Sequence, residues 1–293
     1  MISILLLTKN EQQDLPGCLE SLSWSDDIHV YDSMSTDDTL AIARQFGATV
    51  TQRSYGESKL AFGGDEAAHR NWGLQNISFK YPWVFVIDAD ERMTPDLVHA
   101  VEAAVALQGE QVAFRVQRRD FFMGTWLKHV TPSPFNIRLF KPANIHYERL
   151  TNPNTLVDGP IGDIPSHFNH FPFSKGLAHW LDKHNSYSTF EAGQIFANRG
   201  RVGTFSFAKA IFSKNLNERR FHQKEIYYRL PLRPTAMFLL LYILKRGFLD
   251  GRAGLTYALL RSIYEYFIVL KVRELEAATI AKQDGALRPD AAR

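Results

Sequence analysis

The sequence predicts an α/β fold, with a mostly parallel sheet covered by helices on both faces and amphipathic helices towards the C-terminal end. Three observations lead to this prediction. Apolar segments alternate with helix-forming segments through the first hundred residues, which is typical of parallel strands joined by helical crossovers. A hydrophobic share of 45% over 293 residues is enough for a sizeable core. From about residue 230 the chain is rich in apolar and basic residues with a helical pattern.

The elements of the first half follow from apolar runs and their boundaries. Strands are predicted at Ile2–Leu7, Ile28–Tyr31, Ala48–Gln52 and Trp83–Ile87. The first and last are mainly apolar throughout, as expected for strands buried on both faces. Helices follow these strands, and one of them begins at Thr94-Pro95, which supplies a capping hydroxyl and a proline at the first helical position.

The second half gives weaker patterns. Val112–Gln117 and Asn136–Phe140 are predicted strands, for which an antiparallel arrangement is open. Asn144–Phe173 contains four prolines and two glycines and is predicted to be loop-rich, and a helix is predicted at Ser174–Asn198. We therefore divide the chain into a first domain at residues 1–195, a basic helical region at 196–276 and a tail, expected to be disordered, at 277–293.

Charge is distributed unevenly. The chain has 34 Lys and Arg against 31 Asp and Glu, a net charge of +3, and we expect no nucleic-acid partner. Residues 1–110 carry 7 basic and 17 acidic side chains, whereas residues 199–252 carry 12 basic and 3 acidic ones. An anionic nucleotide bound to the acidic half would need a cation. The single cysteine, Cys18, excludes an intrachain disulfide and a cysteine-based zinc site.

The strongest chemical pattern is the pair Asp88 and Asp90 after the predicted strand Trp83–Ile87. Side chains two residues apart project to the same side, and the carboxyl edge of an open parallel sheet is where ligands bind. Two carboxylates there repel each other unless a cation joins them, and oxygen ligands suit Mg²⁺ or Mn²⁺. The alternative is a solvated strand end whose acids serve only as turn and cap residues.

Two neighbouring strands also end in polar residues. Asp32 ends the second strand, where an acid can accept a hydrogen bond from a nucleobase or a ribose hydroxyl, although a turn and cap role is the alternative. Thr8–Glu11 forms a polar turn after the first strand. None of these strands is followed by the glycine-rich loop of a dinucleotide-binding fold or of a P-loop.

Taken together, these segments resemble the family 2 glycosyltransferases of GT-A fold, and more narrowly the branch that builds lipopolysaccharide cores and exopolysaccharides. The resemblance covers roughly residues 1 to 270. The matching segments are Thr8–Glu11, Tyr31–Asp37, Arg70–Asn71, Asp88–Arg92, Arg118–Gly124, Ile137–Phe140, Val157–Gly162, Pro231–Pro234 and Phe248–Gly254.

The resemblance implies an inverting transfer of sugar from a nucleotide-diphosphate sugar to a glycan or lipid-linked acceptor. The implied nucleotide-binding residues are Thr8, Glu11, Asp32, Arg70, Asn71 and Asp88. Within this group Asp32 would bind the nucleobase and Asp88 would face the ribose. Asp90 would hold Mg²⁺ or Mn²⁺ on the diphosphate, and His170 would reach the metal or the diphosphate from across the cleft.

The catalytic base is where the sequence departs from the family. Relatives often carry a His-Glu pair shortly before the Val-Asp-Gly stretch, but the ungapped positions here are Asn152 and Pro153, and neither is a base. If the loop is shifted, Glu148 supplies the carboxylate. We predict Glu148 as the base, with Asp158 and Asp120 as further candidates, and a surface pair between Glu148 and Arg149 as the alternative.

The C-terminal region is predicted to lie on a membrane surface. Its longest apolar run, Ala236–Leu244, is about half the length of a membrane span. Apolar helices among basic residues suit an anionic membrane surface, so we expect a cytoplasmic protein held peripherally at the inner face of the cytoplasmic membrane. A soluble helical hairpin is the alternative. For the whole chain, the rival functions are a sugar nucleotidyltransferase and a non-catalytic, basic peripheral membrane adaptor.

Overall fold

The computed structural model describes residues 1–56, 61–107, 109–131, 133–149, 153–199, 205–230 and 232–286. The chain separates into two compact units. Unit 1 comprises Met1–Trp126 and Pro132–Lys175, and unit 2 comprises Leu127–Thr131 and Gly176–Arg293. The division predicted at residues 195 and 276 stays a prediction.

Unit 1 is built on a mixed sheet with helices on both faces. Its strands are β1 (Ser3–Thr8), β2 (Ile28–Asp32), β3 (Thr49–Gln52), β4 (Val84–Asp88), β5 (Glu91–Met93), β6 (Ala113–Phe122), β7 (Thr125–Trp126), β8 (Phe135–Phe140), β9 (Ile145–Glu148), β10 (Asn154–Val157) and β11 (Ile161–His170). Its helices are α1 (Leu15–Glu20), α2 (Thr39–Gln45), α3 (Glu66–Asn76) and α4 (Pro95–Ala106).

The strand order is β3-β2-β1-β4-β8-β6-β11-β5, with β7 beside β6 and a separate β9–β10 ribbon. The strands β3, β2, β1 and β4 are parallel, as are β6 and β11, so the predicted mostly parallel sheet is confirmed. Strand β8 runs antiparallel between β4 and β6, which settles the arrangement that the sequence left open.

The core lies on both faces of β1, and all six residues of that strand are buried. Ile4 and Leu6 pack with α1 and α4, whereas Leu5 and Leu7 pack on the side of α3. Helices α3 and α4 begin at side-chain caps, since Asp65 accepts from the backbone N–H of Ala68 and Thr94 caps α4 as expected. This packing fixes the carboxyl ends of β1, β2 and β4 at one edge.

The prediction of loop for Asn144–Phe173 is wrong, because this stretch contains β9, β10 and β11. Strand β11 holds Pro165 in its interior, which local patterns exclude. The register of β11 against β6 shifts between Ile164 and His167, so the proline lies in an irregularity of the ladder where no N–H is needed. A long pairing with β6 therefore overrides the local preference for a turn.

Unit 2 is helical. Its helices are α5 (Gly176–Arg199), α6 (Phe207–Phe212), α7 (Leu216–Arg229), α8 (Arg233–Phe238) and α9 (Gly251–Ala286), with a π-helix at Leu239–Leu244 and a 3₁₀ turn at Gly247–Asp250. The buried carboxylate of Asp250 accepts from the backbone N–H groups of His129 and Val130. Helix α9 continues past residue 276 to Ala286, and the rest of the predicted tail, 287–293, lies outside the described residues.

Candidate active site

Three of the predicted polar residues meet at the carboxyl edge of the parallel strands. Thr8 and Asp32 are paired in register across β1 and β2, and Leu7 is paired with Asp88 across β1 and β4. The hydroxyl of Thr8 donates to an oxygen of Asp32 at 2.9 Å. The ends of three neighbouring strands therefore form one crevice, as the sequence indicated.

Asp32 is wholly buried beneath this crevice. Its oxygens also accept from the N–H and hydroxyl of Ser35 and from the amide of Gln52, at 2.5 to 3.1 Å. In this geometry Asp32 orients Thr8, Ser35 and Gln52 at the crevice, and its own carboxylate is enclosed by protein. The hydroxyl of Ser35 thereby helps to hold Asp32.

The turns after β1 and β2 are joined by side chains. The ammonium of Lys9 donates to the carbonyl oxygens of Ser33 and Met34 at 2.7 and 2.6 Å. The side-chain oxygen of Asn10 accepts from the N–H of Thr36 at 2.8 Å. These contacts explain why a polar turn follows each strand, and they make the two turns one wall of the crevice.

Glu11 lies in the same wall and pairs with Lys175 at 2.7 Å. Burial raises the pKa of the Glu11 carboxyl to about 7, and the ammonium of Lys175 opposes this rise. Glu11 therefore titrates near neutral pH beside the crevice. A carboxyl shifted in this way in a cleft is a common mark of a functional site.

Asp88 is held by two arginines. Its oxygens lie 3.1 Å from a guanidinium nitrogen of Arg138 and 3.5 Å from one of Arg70. Burial opposes ionisation of Asp88, but the charges of Arg138 and Arg70 outweigh it and hold the pKa of Asp88 well below its usual range. Asp88 is therefore a fixed anion, oriented by side chains from β8 and α3.

Sequence reasoning missed the partner acid of this network. Glu91 is buried and accepts from Arg138 at 2.5 Å and from the backbone N–H of Asp88 at 3.0 Å. Burial raises the pKa of Glu91 to about 7 against the opposing charge of Arg138. Both Glu91 and Arg138 lay within the segments that carried the family resemblance, which was the only signal for them.

Asp90, His170 and Asp120 form a second group. The Nε2 atom of His170 lies 3.3 Å from Asp90, and its Nδ1 atom lies 2.6 Å from Asp120. These contacts come from the parallel register that sets His170 beside Asp120. Asp120, predicted as a possible base, is buried and also paired with Arg118 at 2.8 Å, so it orients His170.

This group fits a divalent cation that is shared with a substrate. Among the described residues, no three His, Cys, Asp or Glu side chains are grouped as a ready metal site. Mg²⁺ and Mn²⁺ are, however, commonly held by one or two protein ligands together with substrate phosphates. A metal-binding histidine typically donates its other N–H to a carboxylate, which is the relation of His170 to Asp120. Asp90 and His170 can therefore supply the protein ligands.

The remaining predicted residues lie elsewhere. Asn71 is engaged with the backbone of Tyr147, accepting from its N–H and donating to its carbonyl oxygen at 2.8 Å each, so it fastens α3 to β9. Glu148 is exposed at the end of β9. Because strand side chains alternate, Glu148 projects to the face opposite Tyr147, whose ring lies 5.5 Å from the Arg70 guanidinium. The assignment of Glu148 as base stays a prediction, against which this alternation argues.

The sheet register does not bring Asp158 to this edge. Asp158 is exposed and precedes Ile161, which pairs with Ala113. Ala113 pairs through Phe140 with Val84, at the start of β4, whereas Asp88 ends that strand. Asp158 therefore lies towards the opposite edge of the sheet and is not placed to act on the same substrate atom. Of the two ungapped positions, neither of which is a base, Asn152 lies outside the described residues and Pro153 lies within them.

A comparison with known protein families identifies the family of the chain. Residues 3–162, more than half of the chain, match the family described as glycosyl transferase family 2. The chain belongs to this family. The predicted family, its GT-A fold class and the assignment of the chain as a glycosyltransferase are thus confirmed.

Several individual proteins are similar to this family 2 glycosyltransferase. The lipopolysaccharide core biosynthesis glycosyltransferase LpsC of Rhizobium meliloti is 26% identical over 273 residues, 90% of this chain and 92% of that protein. An uncharacterized glycosyltransferase of Rickettsia typhi is 23% identical over 94% of this chain and 87% of that protein.

Solved structures are also similar. S. aureus TarS has a TM-score of 0.41 and 14% identity, covering 88% of this chain and 54% of that one. Glucosyl-3-phosphoglycerate synthase from Mycobacterium tuberculosis, solved with Mn²⁺ and UDP, has a TM-score of 0.35 and 22% identity, covering 49% of this chain and 57% of that one. The chain thus spans little more than half the length of these solved chains.

The protonation of His170 gives this glycosyltransferase a predicted pH dependence. Burial disfavours the imidazolium, but hydrogen bonds to Asp120 and Asp90 outweigh burial and raise the pKa of His170 to about 9. Because an unfolded histidine has a pKa of about 6.5, this stabilisation is complete below that pH and is lost as pH rises through about 9. As the pH rises from about 6.5 to about 9, we expect chelator-treated protein to lose roughly 3 kcal/mol of unfolding free energy because His170 loses its proton.

Urea unfolding of the wild-type protein and of His170→Gln at pH 6 and pH 9.5, both with chelator, measures this contribution. The difference in stability between the two proteins should shrink at the higher pH. His167→Gln, three residues earlier on β11, is the control and should not remove the pH dependence. A stability difference between wild type and His170→Gln that is the same at both pH values would contradict the prediction.

Proposed function

We propose that this glycosyltransferase transfers a sugar, with inversion, from a nucleoside diphosphate sugar to a growing lipopolysaccharide core or a related lipid-linked glycan. The observation that carries the proposal is the joint placement of Asp88, Asp90 and His170 at the carboxyl edge of the parallel strands. The similarity to LpsC along nearly the whole length of both chains supports the acceptor class.

In this proposal the nucleoside lies in the crevice at the ends of β1, β2 and β4. Thr8 and Glu11 face the base and ribose, and Asp32 acts from beneath by orienting Thr8. Asp88 receives the ribose hydroxyls as a carboxylate kept ionised by its two arginines. Asn71, which the resemblance assigned to the nucleotide, instead holds the backbone of Tyr147, whose ring lies beside Arg70.

Asp90 and His170 are the proposed protein ligands of Mg²⁺ or Mn²⁺. When bound there, the cation supplies positive charge opposite the leaving diphosphate. Asp120 accepts the Nδ1 proton of His170, which leaves Nε2 turned towards Asp90. The chain thereby orients both ligands before a substrate arrives.

Donor binding and hydrolysis test the proposal. The protein is titrated with UDP-, GDP- and CDP-linked sugars in MnCl₂, MgCl₂ or EDTA, and its thermal unfolding is followed. A donor at a hundred times its dissociation constant should stabilise the protein by ~2.7 kcal/mol, in the presence of the metal only. The protein should also hydrolyse the bound donor slowly and release the nucleoside diphosphate. Absence of stabilisation and of hydrolysis with every donor would reject the proposal in favour of a non-catalytic adaptor; the family match already decides against a sugar nucleotidyltransferase.

We also propose that unit 2 docks peripherally on the inner face of the cytoplasmic membrane. Within the described ranges, no helix combines the length with the apolar character that crossing a bilayer needs. Helix α9 buries the stripe of Leu260, Tyr264 and Ile268. A second apolar stripe of α9 is exposed, and so are apolar side chains of residues 239–249, which precede α9. The exposed set is Leu239, Ile243, Leu244, Leu249, Leu255, Leu259 and Ile263.

Exposed basic residues accompany this apolar surface, among them Lys245 and Arg246. Basic side chains near an anionic membrane contribute about 1 kcal/mol each, and this contribution is screened by salt. Burial of apolar side chains is not screened by salt. An anionic bilayer is therefore the occupant that matches both features of the surface.

We expect the full-length protein to co-sediment with anionic vesicles and to keep part of this binding at high salt. Leu244→Glu with Leu249→Glu should remove the salt-resistant part, because both side chains are exposed, at 74% and 56%. Leu107→Glu is the matched control, since Leu107 is 81% exposed on unit 1. Wild-type protein that stays in the supernatant at low salt would reject membrane docking.

A further inference from the structure

A cavity of about 300 Å³ opens beside Asp88 on unit 1. Its wall includes Asp88, Arg70, Asn136, Arg138, Tyr147 and Thr155, from β4, α3, β8 and the β9–β10 ribbon. This volume is at the lower end of the range for small-molecule sites, so it suits one ring of a ligand and not a whole nucleotide sugar. The roles proposed above for the nucleoside and the diphosphate do not use Asn136 or Thr155.

The charges in the cavity wall compensate one another. Arg70 donates two hydrogen bonds to Glu66, at 2.9 and 2.7 Å, and Arg138 is paired with Asp88 and Glu91. The wall therefore offers both donors and acceptors without an excess of positive charge. Such a lining suits an uncharged polyhydroxyl ring, whereas a phosphate group would require uncompensated cations.

Two nitrogen donors of this wall are buried. Within the part of the chain that the structure describes, neither the Asn136 amide nitrogen nor the Nε atom of Arg138 has a hydrogen-bond acceptor. Arg138 is only 8% exposed. Leaving a buried donor unsatisfied costs about 1 to 3 kcal/mol, so a small side-chain rotation that brings one of these donors to a ligand oxygen in the cavity recovers free energy.

Side chains of the β9–β10 ribbon alternate between the cavity and the opposite face. Tyr147 and Thr155 are paired across the ribbon and line the cavity, whereas the neighbouring pair, Glu148 and Asn154, is exposed. The hydroxyl of Thr155 is therefore presented to the cavity, and the amide of Asn154 is presented to the opposite face.

We propose that this cavity binds the sugar ring of the donor, and that Asn136 and Thr155 select the ring by hydrogen bonds to its hydroxyl groups. This inference rests on the proposed function, because the ring is attached to the diphosphate that Asp90 and His170 are proposed to hold. The expected substrate is a donor with a neutral, hydroxyl-bearing hexose. Asn136 and Thr155 are specificity-determining residues that act on the sugar and not on the nucleotide.

The test compares free diphosphate with sugar-linked diphosphate. Calorimetric titration in MnCl₂ gives the dissociation constants of UDP with UDP-glucose and UDP-galactose, and of GDP with GDP-mannose. It is carried out on the wild type, Thr155→Val and Asn136→Ala, with Asn154→Ala as the matched control on the other face of the ribbon.

A hydrogen bond to a neutral group contributes about 0.5 to 1.5 kcal/mol, so each cavity variant should weaken the sugar-linked ligand by about 2- to 10-fold. The dissociation constant of the free diphosphate should not change, and Asn154→Ala should alter neither ligand. Equal weakening of both ligands by a cavity variant, or no weakening of the sugar-linked one, overturns the inference while the proposed function stands. Failure of every nucleotide to bind the wild type overturns both. Because Thr155→Val preserves shape, a folding defect in Asn136→Ala leaves the comparison decisive.

Discussion

Asp90→Ala is expected to lower sugar transfer by at least about 10²- to 10³-fold, the loss that follows removal of one electrostatic contact to a developing charge. Asp90 is the proposed carboxylate ligand of the cation at the leaving diphosphate. The fold should tolerate the change, because the Asp90 side chain is 27% exposed and its departure relieves repulsion with Asp88. The change also removes one of the hydrogen bonds that raise the pKa of His170, so we expect the free energy of unfolding to fall by about 1 to 2 kcal/mol near neutral pH, which is less than the whole contribution of His170.

Donor hydrolysis in Mn²⁺ and urea unfolding of the same preparation check both parts. Asp96→Ala is the control, since Asp96 is an exposed carboxylate six residues after Asp90, in the first turn of α4. Asp96→Ala should hydrolyse the donor at the wild-type rate. Near-normal turnover of Asp90→Ala in either Mg²⁺ or Mn²⁺ would show that the metal assignment is wrong.

Arg138→Met is expected to cost about 3 to 5 kcal/mol of unfolding free energy, as is usual when one partner of a buried ion pair is removed. The substitution leaves Asp88 and Glu91 side by side with no guanidinium between them, and Glu91 is almost fully buried. Turnover should fall as well, because Asp88 loses one of the two guanidinium charges that keep it ionised and oriented.

The matched control is Arg115→Met. Arg115 bridges to Asp163 from β6 to β11 at 2.7 Å, but the two side chains are 48% and 56% exposed. An exposed pair of this kind contributes about 0 to 1 kcal/mol. Urea unfolding of both variants measures the contrast. Similar small losses in the two proteins would mean that the Asp88 network is not a buried structural element.

The sequence was sufficient for the parts of the fold that local patterns determine. Strands β1 and β4 are short apolar runs between polar turns, and the start of α4 at Thr94-Pro95 is set by neighbouring residues. Strand β11 escaped prediction because its stability comes from pairing with β6, about fifty residues earlier. Local composition, with Pro165 inside the strand, indicated the opposite.

The residues of the candidate site likewise fall into two groups: those that local patterns predicted, and those whose positions depend on strands distant in sequence. The spacing of Asp88 and Asp90 after an apolar strand predicted where they would lie. The pairing of Glu91 with Arg138 spans 47 residues and depends on β8 entering antiparallel between β4 and β6. No pattern of residue types carries that information. Likewise, the position of Asp158 became clear only from the sheet register, because Asp158 precedes the start of β11 and His170 lies at its end.

The joining of the turns after β1 and β2 has a consequence for the kinetics of donor binding. Lys9 and Asn10 fasten one turn to the backbone of the other through hydrogen bonds that need no ligand. Ordering a free loop on binding would consume conformational entropy, which here is already spent when the protein folds. The crevice is thus preorganised, and the rate at which a nucleotide associates should be limited by diffusion and charge steering and not by closure of these turns.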